Sequence, residues 1–319
     1  VYDVVPNHPL GLQRGDVVLG YDRIPWRIIL REIMETQLPV KNFNSVWGCS
    51  PSSFSHSLLM SAGMNWHLFD TIDVVKCNSG DTLHLSVFPL IGQNLNIFCT
   101  EQMDIPGISK PDYDNNNYVS YGIVNGTNIG YIYVWAWDTS TEMDFYNAVQ
   151  ALMQTQGLII DFRFNAGGFL PVSNPGLSLL FDTTVSTVDF GRRCSPSNHQ
   201  LMCPDNTPFF YNIPGSPPGY NKPIAVLTGP GAVSSGDQVA LRMKYHPRAR
   251  IFGKSTAAAF NHPTSWLTIY PGYYMRYAVA DAYELNNPSV YLTHKEFEVD
   301  ENIWLSKELV RQGRDDVVE

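Results

Sequence analysis

Pro223-Ile224-Ala225-Val226-Leu227-Thr228-Gly229-Pro230-Gly231-Ala232-Val233-Ser234-Ser235-Gly236-Asp237-Gln238-Val239-Ala240 sets the architecture expected for this chain. An apolar run breaks at Gly-Pro-Gly, two serines follow, and an amphipathic pattern then begins with Val239, Leu241 and Met243. That order predicts a buried strand, a tight turn and a helix whose first turn carries serine. A serine there has its hydroxyl held at a fixed point above the sheet. The unpaired N–H groups of the first helical turn, aided by the helix dipole, can hold a developing oxyanion beside it. The plainer role is an N-cap, the commonest use of serine before a helix. On this stretch alone the cap is the stronger reading.

The chain has 319 residues, enough for one large domain or two. Hydrophobic residues make up 44% and charged residues 16%, a balance that can bury a sizeable core and speaks against disorder. The net charge of −9 argues against a nucleic-acid partner, since nothing would neutralise phosphates. No basic run suited to anionic membranes is visible, and no apolar window is long enough to span a bilayer.

Five cysteines occur, at 49, 77, 99, 194 and 203, and none has the CxxC spacing of a zinc site. No metal or other cofactor is expected. Cys194 and Cys203 flank a short polar loop. They close a small disulfide if the compartment is oxidising, or remain two buried thiols if it is not. The chain starts at Val1 without Met or a signal peptide and stops inside what reads as a helix, Asp315 to Glu319, so a fragment trimmed at both ends is expected.

Along the chain, Val17 to Leu19 reads as a strand behind the Gly15-Asp16 turn, Arg27 to Glu35 as helical, and 40–66 as an insertion rich in Asn, Ser, Pro and Gly whose Leu58 to Met64 segment suits a helix. Thr71 to Val75 and Thr82 to Phe88 read as strands. The composition shift at 106–117 marks a linker. Beyond it strands and helices alternate: Ile129 to Trp137 (strand), Thr141 to Gln154 (helix, capped by Thr141), Gly157 to Phe164 (strand), Asn174 to Phe181 (helix), Pro223 to Thr228 (strand), Ser235 to Tyr245 (helix), then strands at Ala249 to Phe252 and Trp266 to Tyr270. Such alternation implies an α/β fold with a largely parallel sheet covered on both faces.

Two strand ends carry unusual chemistry. Leu158 to Asp161 runs into Phe162-Arg163-Phe164-Asn165-Ala166-Gly167-Gly168, where paired glycines permit close backbone approach and free N–H groups. The other is the Ser234 turn. In parallel α/β sheets, sites gather at the C-terminal ends of strands, so the two segments can converge as nucleophile and oxyanion donors. Asp161 and Arg163 read as a structural ion pair, and Tyr131 to Trp137 as a core strand, with Trp135 or Trp137 as candidate groove residues.

These residues carry a family resemblance. Asp161 to Gly168 resembles the D-x-R-x-N-x-G-G segment of the carboxy-terminal processing and tricorn-type serine peptidases, family S41. Val233 to Asp237 is similar to their nucleophile turn, Gly253-Lys254-Ser255-Thr256 to the G-x-x-T segment that follows, and Gly11 to Leu19 to the middle of their PDZ-like domain. The resemblance implies a crotonase-like peptidase core at 118–319, preceded by a linker at 106–117 and by a partial PDZ-like domain at 1–105 with its insertion near 40–66. It implies Ser234 as nucleophile, with the Ser235 N–H and a glycine N–H of the Gly167-Gly168 pair, Gly168 preferred, as oxyanion donors. It also implies a polypeptide substrate, gathered by its C-terminus, and an extracytoplasmic location.

Two departures concern the general base. The lysine that the processing branch places about three residues after G-x-x-T is Ala259 here. The histidine of the tricorn-type branch would lie before Val1, and Glu296 or Glu298 stands nearest the position of its orienting carboxylate. Serine near neutral pH needs a base. Within the chain the candidates are His262, against a surface role, and Lys254, against a solvated or ion-paired role. His246 reads as a charged helix-end histidine favouring the dipole; His56 and His67 have no assigned place. The leading expectation is a serine endopeptidase working through an acyl-enzyme. The rivals are a peptide- or lipid-binding module on the same scaffold and, more weakly, a thioester acyl-transfer enzyme.

Overall fold

A computed structural model describes residues 1–26, 28–29, 66–93, 104–198, 202–204, 212–260, 264–278, 280–293 and 295–319. The expected helix at Arg27 to Glu35, apart from Ile28 and Ile29, the one at Leu58 to Met64, almost all of the 40–66 insertion, His56 and His262 lie outside them.

The expected mixed α/β fold is present. Its centre is a six-stranded sheet in the spatial order Glu301–Asn302, Ala249–Gly253, Ile224–Thr228, Gly157–Asp161, Ile129–Val134, Val119–Ile123. Every neighbouring pair is parallel except the last, an antiparallel hairpin at the edge. The two central strands, Gly157–Asp161 and Ile224–Thr228, are buried along most of their length. This is why they read as unbroken apolar runs: a parallel strand is covered on both faces.

Alternate residues of Ile129–Val134 show the two faces. Ile132 and Val134 join the large core formed with helix Thr141–Leu152, where Phe145, Ala148, Val149 and Leu152 face inward at the 3–4 spacing of a buried helical stripe. The short helix Asn174–Ser178 and helix Ser235–Met243 also contribute to this core. Tyr131 and Tyr133 belong to a second cluster with Ile105, Ile108 and Phe164, joined by Tyr2 and Val318. Ile105, just before the segment read as a linker, and Ile108, within it, are buried in this cluster.

Two smaller antiparallel sheets flank this centre. One has the order Ile24–Pro25, Val17–Tyr21, Thr71–Val75, Thr82–Ser86 and its own core around Tyr21, Ile72, Val74 and Leu90. It meets the rest of the molecule through Arg14, which binds Asp3 (3.1 Å) and Asp104 (2.5 Å), and Lys110, which binds Asp3 (2.7 Å). The other has the order Asn287–Tyr291, Asp281–Glu284, Asp189–Arg193, Met202–Pro204. Cys194 and Cys203 are disulfide-bonded beside its Arg192–Cys203 pairing, with Cα atoms 5.8 Å apart, which settles the choice between bond and free thiols. Cys77 is half-buried and unbonded. A hairpin, Thr264–Tyr270 with Tyr273–Ala278, completes the described strands. Among the described residues no helix is long and apolar enough to cross a membrane.

Three expectations need correction. The Asp315 to Glu319 segment is a pair of turns, closed by Val318 and Glu319 N–H groups on the Asp315 carbonyl, and the last helix is Lys307–Arg311. Thr141 does not cap its helix: Ser140 is the N-cap, and Thr141 Oγ1 donates backwards to the Ala136 carbonyl at 3.1 Å. His246 is buried and bonded at both ring nitrogens, Nε2 to the Leu180 carbonyl (3.1 Å) and Nδ1 from the Arg248 N–H (3.1 Å). One nitrogen donates and the other accepts, which is the neutral imidazole, and burial pushes its pKa down.

The expected Asp161–Arg163 ion pair is present, wholly buried, and has a third member. Arg163 also binds Asp315 (2.7 Å), 152 residues away, and Tyr131 Oη donates to Asp161 (2.7 Å). The C-terminal segment is thereby fastened beneath the strand end that leads to Gly167-Gly168. Replacing Arg163 with Met leaves two uncompensated buried carboxylates, so R163M is expected to lose about 3–5 kcal/mol of unfolding free energy in urea titration.

Candidate active site

The C-terminal ends of the two central strands meet as the sequence suggests. Ile224–Thr228 is in parallel register with Leu158 to Asp161, and the loops that leave these ends touch. The Val233 N–H donates to the Asn165 carbonyl (3.0 Å), and Ser235 Oγ donates to the Gly168 carbonyl (2.6 Å). A Cβ on Gly167 would sit 2.9 Å from Ser234 Cβ and 2.8 Å from the Val233 carbonyl oxygen, so only glycine lets the loops approach this closely. Gly168, at φ +130°, would drive a Cβ to 2.1 Å from the Trp137 carbonyl oxygen.

Ser234 is the N-cap of helix Ser235–Met243 by position, yet its side chain makes no capping hydrogen bond. It is exposed and sits at φ 58°, ψ −117°. A non-glycine residue at positive φ costs about 1–3 kcal/mol. The cap reading therefore fails at this residue.

A buried carboxylate holds the turn. Asp237, three residues on, accepts the Ala258 N–H (2.9 Å) and the Ala259 N–H (3.3 Å). Burial of the carboxylate pushes its pKa up to about 7, against the opposing pull of these donated bonds.

The glycine N–H groups differ. That of Gly167 donates to Asn165 Oδ1 at 3.0 Å, and Asn165 is in turn fixed by its Nδ2 to the Val134 carbonyl (2.9 Å). Among the described residues no hydrogen bond engages the N–H of Gly168 or of Ser235. Gly167 is therefore the spacer of the pair, because its N–H is already committed.

The candidate bases stand apart from this geometry. Lys254 is half-buried with its ammonium over the Trp304 ring, 5.4 Å from the centroid. Glu296 is exposed beside Phe297, whose N–H donates to Ser255 Oγ (2.7 Å). His67 is exposed, in the short Trp66–Leu68 turn. Among the described residues no histidine, lysine or carboxylate side chain bonds the Ser234 hydroxyl. Trp137 is core, against Phe145 and Phe162, while Trp135 is half-buried against Tyr113 and Tyr118. Sequence reading misses Asp315 and the role of Asp237; a Ser-x-x-Asp spacing at a helix start is the available signal for the latter.

The model of peptidase family S41 matches residues 128–301, more than half of the chain and both loops of the site. The chain belongs to peptidase family S41. As a member of that family it is an S41-type peptidase. Among solved structures, this peptidase resembles mature CPAF complexed with lactacystin, at 14% identity and a TM-score of 0.66, covering 97% of this chain and 77% of that one. A Parabacteroides merdae ATCC 43184 protein matches at 14% identity and a TM-score of 0.54, covering 93% and 87%. At such identities these likenesses establish the fold alone. No curated protein sequence matches the S41 chain.

The Asp237 carboxyl carries a stability signature. With its folded pKa raised to about 7 and an unfolded value near about 3.9, the native state holds the proton longer than the unfolded chain. The stabilisation is complete below about pH 4 and is lost as pH rises through about 7, to a total on the order of 4 kcal/mol. Subtracting the unfolding free energy of D237N from that of the wild type at each pH should give a difference that falls from pH 4 to 8; a pH-independent difference contradicts the assignment.

Proposed function

We propose that this S41 peptidase hydrolyses peptide bonds through an acyl-enzyme on Ser234. The observation that carries the reading is the exposed Ser234 hydroxyl, held at positive φ at the start of a helix and released from the capping role that serine there normally plays. Its neighbours support it: the Gly168 and Ser235 N–H groups are unengaged and lie on loops joined by the Ser235–Gly168 hydrogen bond. In this reading the substrate carbonyl sits over Ser234 and its oxygen enters between those two donors. The positive end of helix Ser235–Met243 adds to them as charge develops. The base takes the Ser234 proton on attack and returns it to the leaving amine. Water then attacks the acyl-enzyme with the same base, regenerating the hydroxyl and releasing the acid product. His262, outside the described residues, is the candidate base within the chain. Lys254, stacked on Trp304, and Glu296, beside Phe297, are weaker ones.

The wider assignment follows. The six-stranded sheet and its helices, within 118–319, form the crotonase-like catalytic core. Residues 1–105, with the Val17–Ser86 sheet, form a PDZ-like unit that gathers polypeptide C-termini, joined through 106–117. The Cys194–Cys203 bond supports an oxidising, extracytoplasmic compartment. S234A is expected to lower kcat/KM on peptide substrates by at least about 10⁴-fold while the protein remains folded. Hydrolysis at the wild-type rate by purified S234A would refute the reading.

A further inference from the structure

We propose that the Ser235 side chain is a positioning residue of the oxyanion site: its hydroxyl, bonded to the Gly168 carbonyl, holds the two oxyanion donors at a fixed separation. The proposal rests on the reading of Ser234 as nucleophile and of the Gly168 and Ser235 N–H groups as donors.

Two consecutive serines stand at the start of helix Ser235–Met243, in opposite surroundings. Ser234 is exposed and makes no cap bond. Ser235 is 6% exposed, and its Oγ donates to the Gly168 carbonyl at 2.6 Å. The backbone around that carbonyl is otherwise committed. The Gly167 N–H donates to Asn165 Oδ1 (3.0 Å), the Trp137 N–H to the Gly167 carbonyl (2.8 Å), and the Phe169 N–H to the Trp137 carbonyl (2.7 Å). Of the backbone polar groups of Gly167 and Gly168, the Gly168 N–H alone is open among the described residues.

Trp137 fixes the direction of the glycine strip, but it does not join that strip to the helix. The second donor, the Ser235 N–H, comes from the helix side. The Val233 N–H on the Asn165 carbonyl (3.0 Å) also crosses between the two loops, three residues before Gly168. One crossing bond leaves a pivot; the Ser235 hydroxyl supplies a second point, on Gly168 itself. Glycine needs such an outside tie: at φ +130° it has no side chain to lock its own peptide planes. A slack donor pair loses contact with the charge that develops in the transition state, while ground-state binding changes little.

Farther along the same helix, Arg242 donates to Ser173 Oγ (3.0 Å) and Asn174 Oδ1 (2.6 Å). Those bonds keep the helix on the segment that follows Gly168 when the Ser235 hydroxyl is removed. Ala at 235 retains the N–H donor and deletes only the brace.

The test uses the full-length protein, with kcat and KM measured on one peptide substrate and the inhibition constant of a matched peptide boronate. In S235A, kcat is expected to fall by about 10- to 10²-fold with KM within about threefold, and the boronate constant to rise in step with the loss of kcat/KM. S235C carries a weak donor of similar size and is expected to lose about fivefold in kcat. Folded S235A with kcat within about twofold of wild type overturns the proposal, as does a loss confined to KM. If S235A does not unfold cooperatively, S235C decides: kcat within about twofold of wild type overturns it. S234A separates the two readings. An inactive S234A beside an S235A near the wild-type rate defeats the brace alone; an active S234A defeats the nucleophile reading as well.

Discussion

The buried Asp237 carboxylate, in the first turn of helix Ser235–Met243, accepts the Ala258 and Ala259 N–H groups, and the site geometry depends on this tie between the helix start and the facing turn. Ser234 stands at the start of that helix without capping it. The Ser234 hydroxyl makes no cap bond, and the Ser235 N–H is unengaged among the described residues. The arrangement opposes stability: burial penalises the Asp237 charge, and positive φ strains Ser234. Local cost tolerated for the sake of aim is the usual mark of a functional site.

The rest of the architecture brings a second loop to that serine. Parallel pairing of Gly157–Asp161 with Ile224–Thr228 puts both C-terminal ends at one edge. Beneath them, the Asp161–Arg163–Asp315 network fixes the first strand end from the far terminus of the chain, and Asn165 shapes the turn above it. Gly167 then admits Ser234 to van der Waals contact, and Gly168 is left with an N–H pointing at no other group among the described residues. The work divides cleanly: Asn165 and Gly167 build the turn, and Gly168 faces the open site.

Much of this is legible in the amino-acid sequence. Runs such as Ile224–Thr228 are apolar because both faces are covered, and the Asn174–Ser178 and Ser235–Met243 helices begin where turn residues stop. The paired glycines and the serine turn read as a site because a crowded backbone needs glycine. What escapes a sequence reading depends on contacts distant along the chain. Asp315 reads as part of a helix because its partner, Arg163, lies 152 positions away. His246 reads as a charged helix end because nothing nearby in the sequence announces that the Leu180 carbonyl and Phe181 ring enclose it. Cap and nucleophile are indistinguishable at Ser234 from sequence, since both use the same residue at the same position. The backbone angle, φ 58°, and the missing cap bond argue against the cap.

The most direct test is a crystal structure of the full-length protein with a peptide boronate, a mimic of the tetrahedral intermediate. The account predicts a covalent bond from Ser234 Oγ to boron, with one boronate oxygen about 2.7–3.1 Å from both the Gly168 and Ser235 nitrogens. A boronate bonded to another residue, or one attached to Ser234 with its oxygens turned away from those two N–H groups, would contradict it.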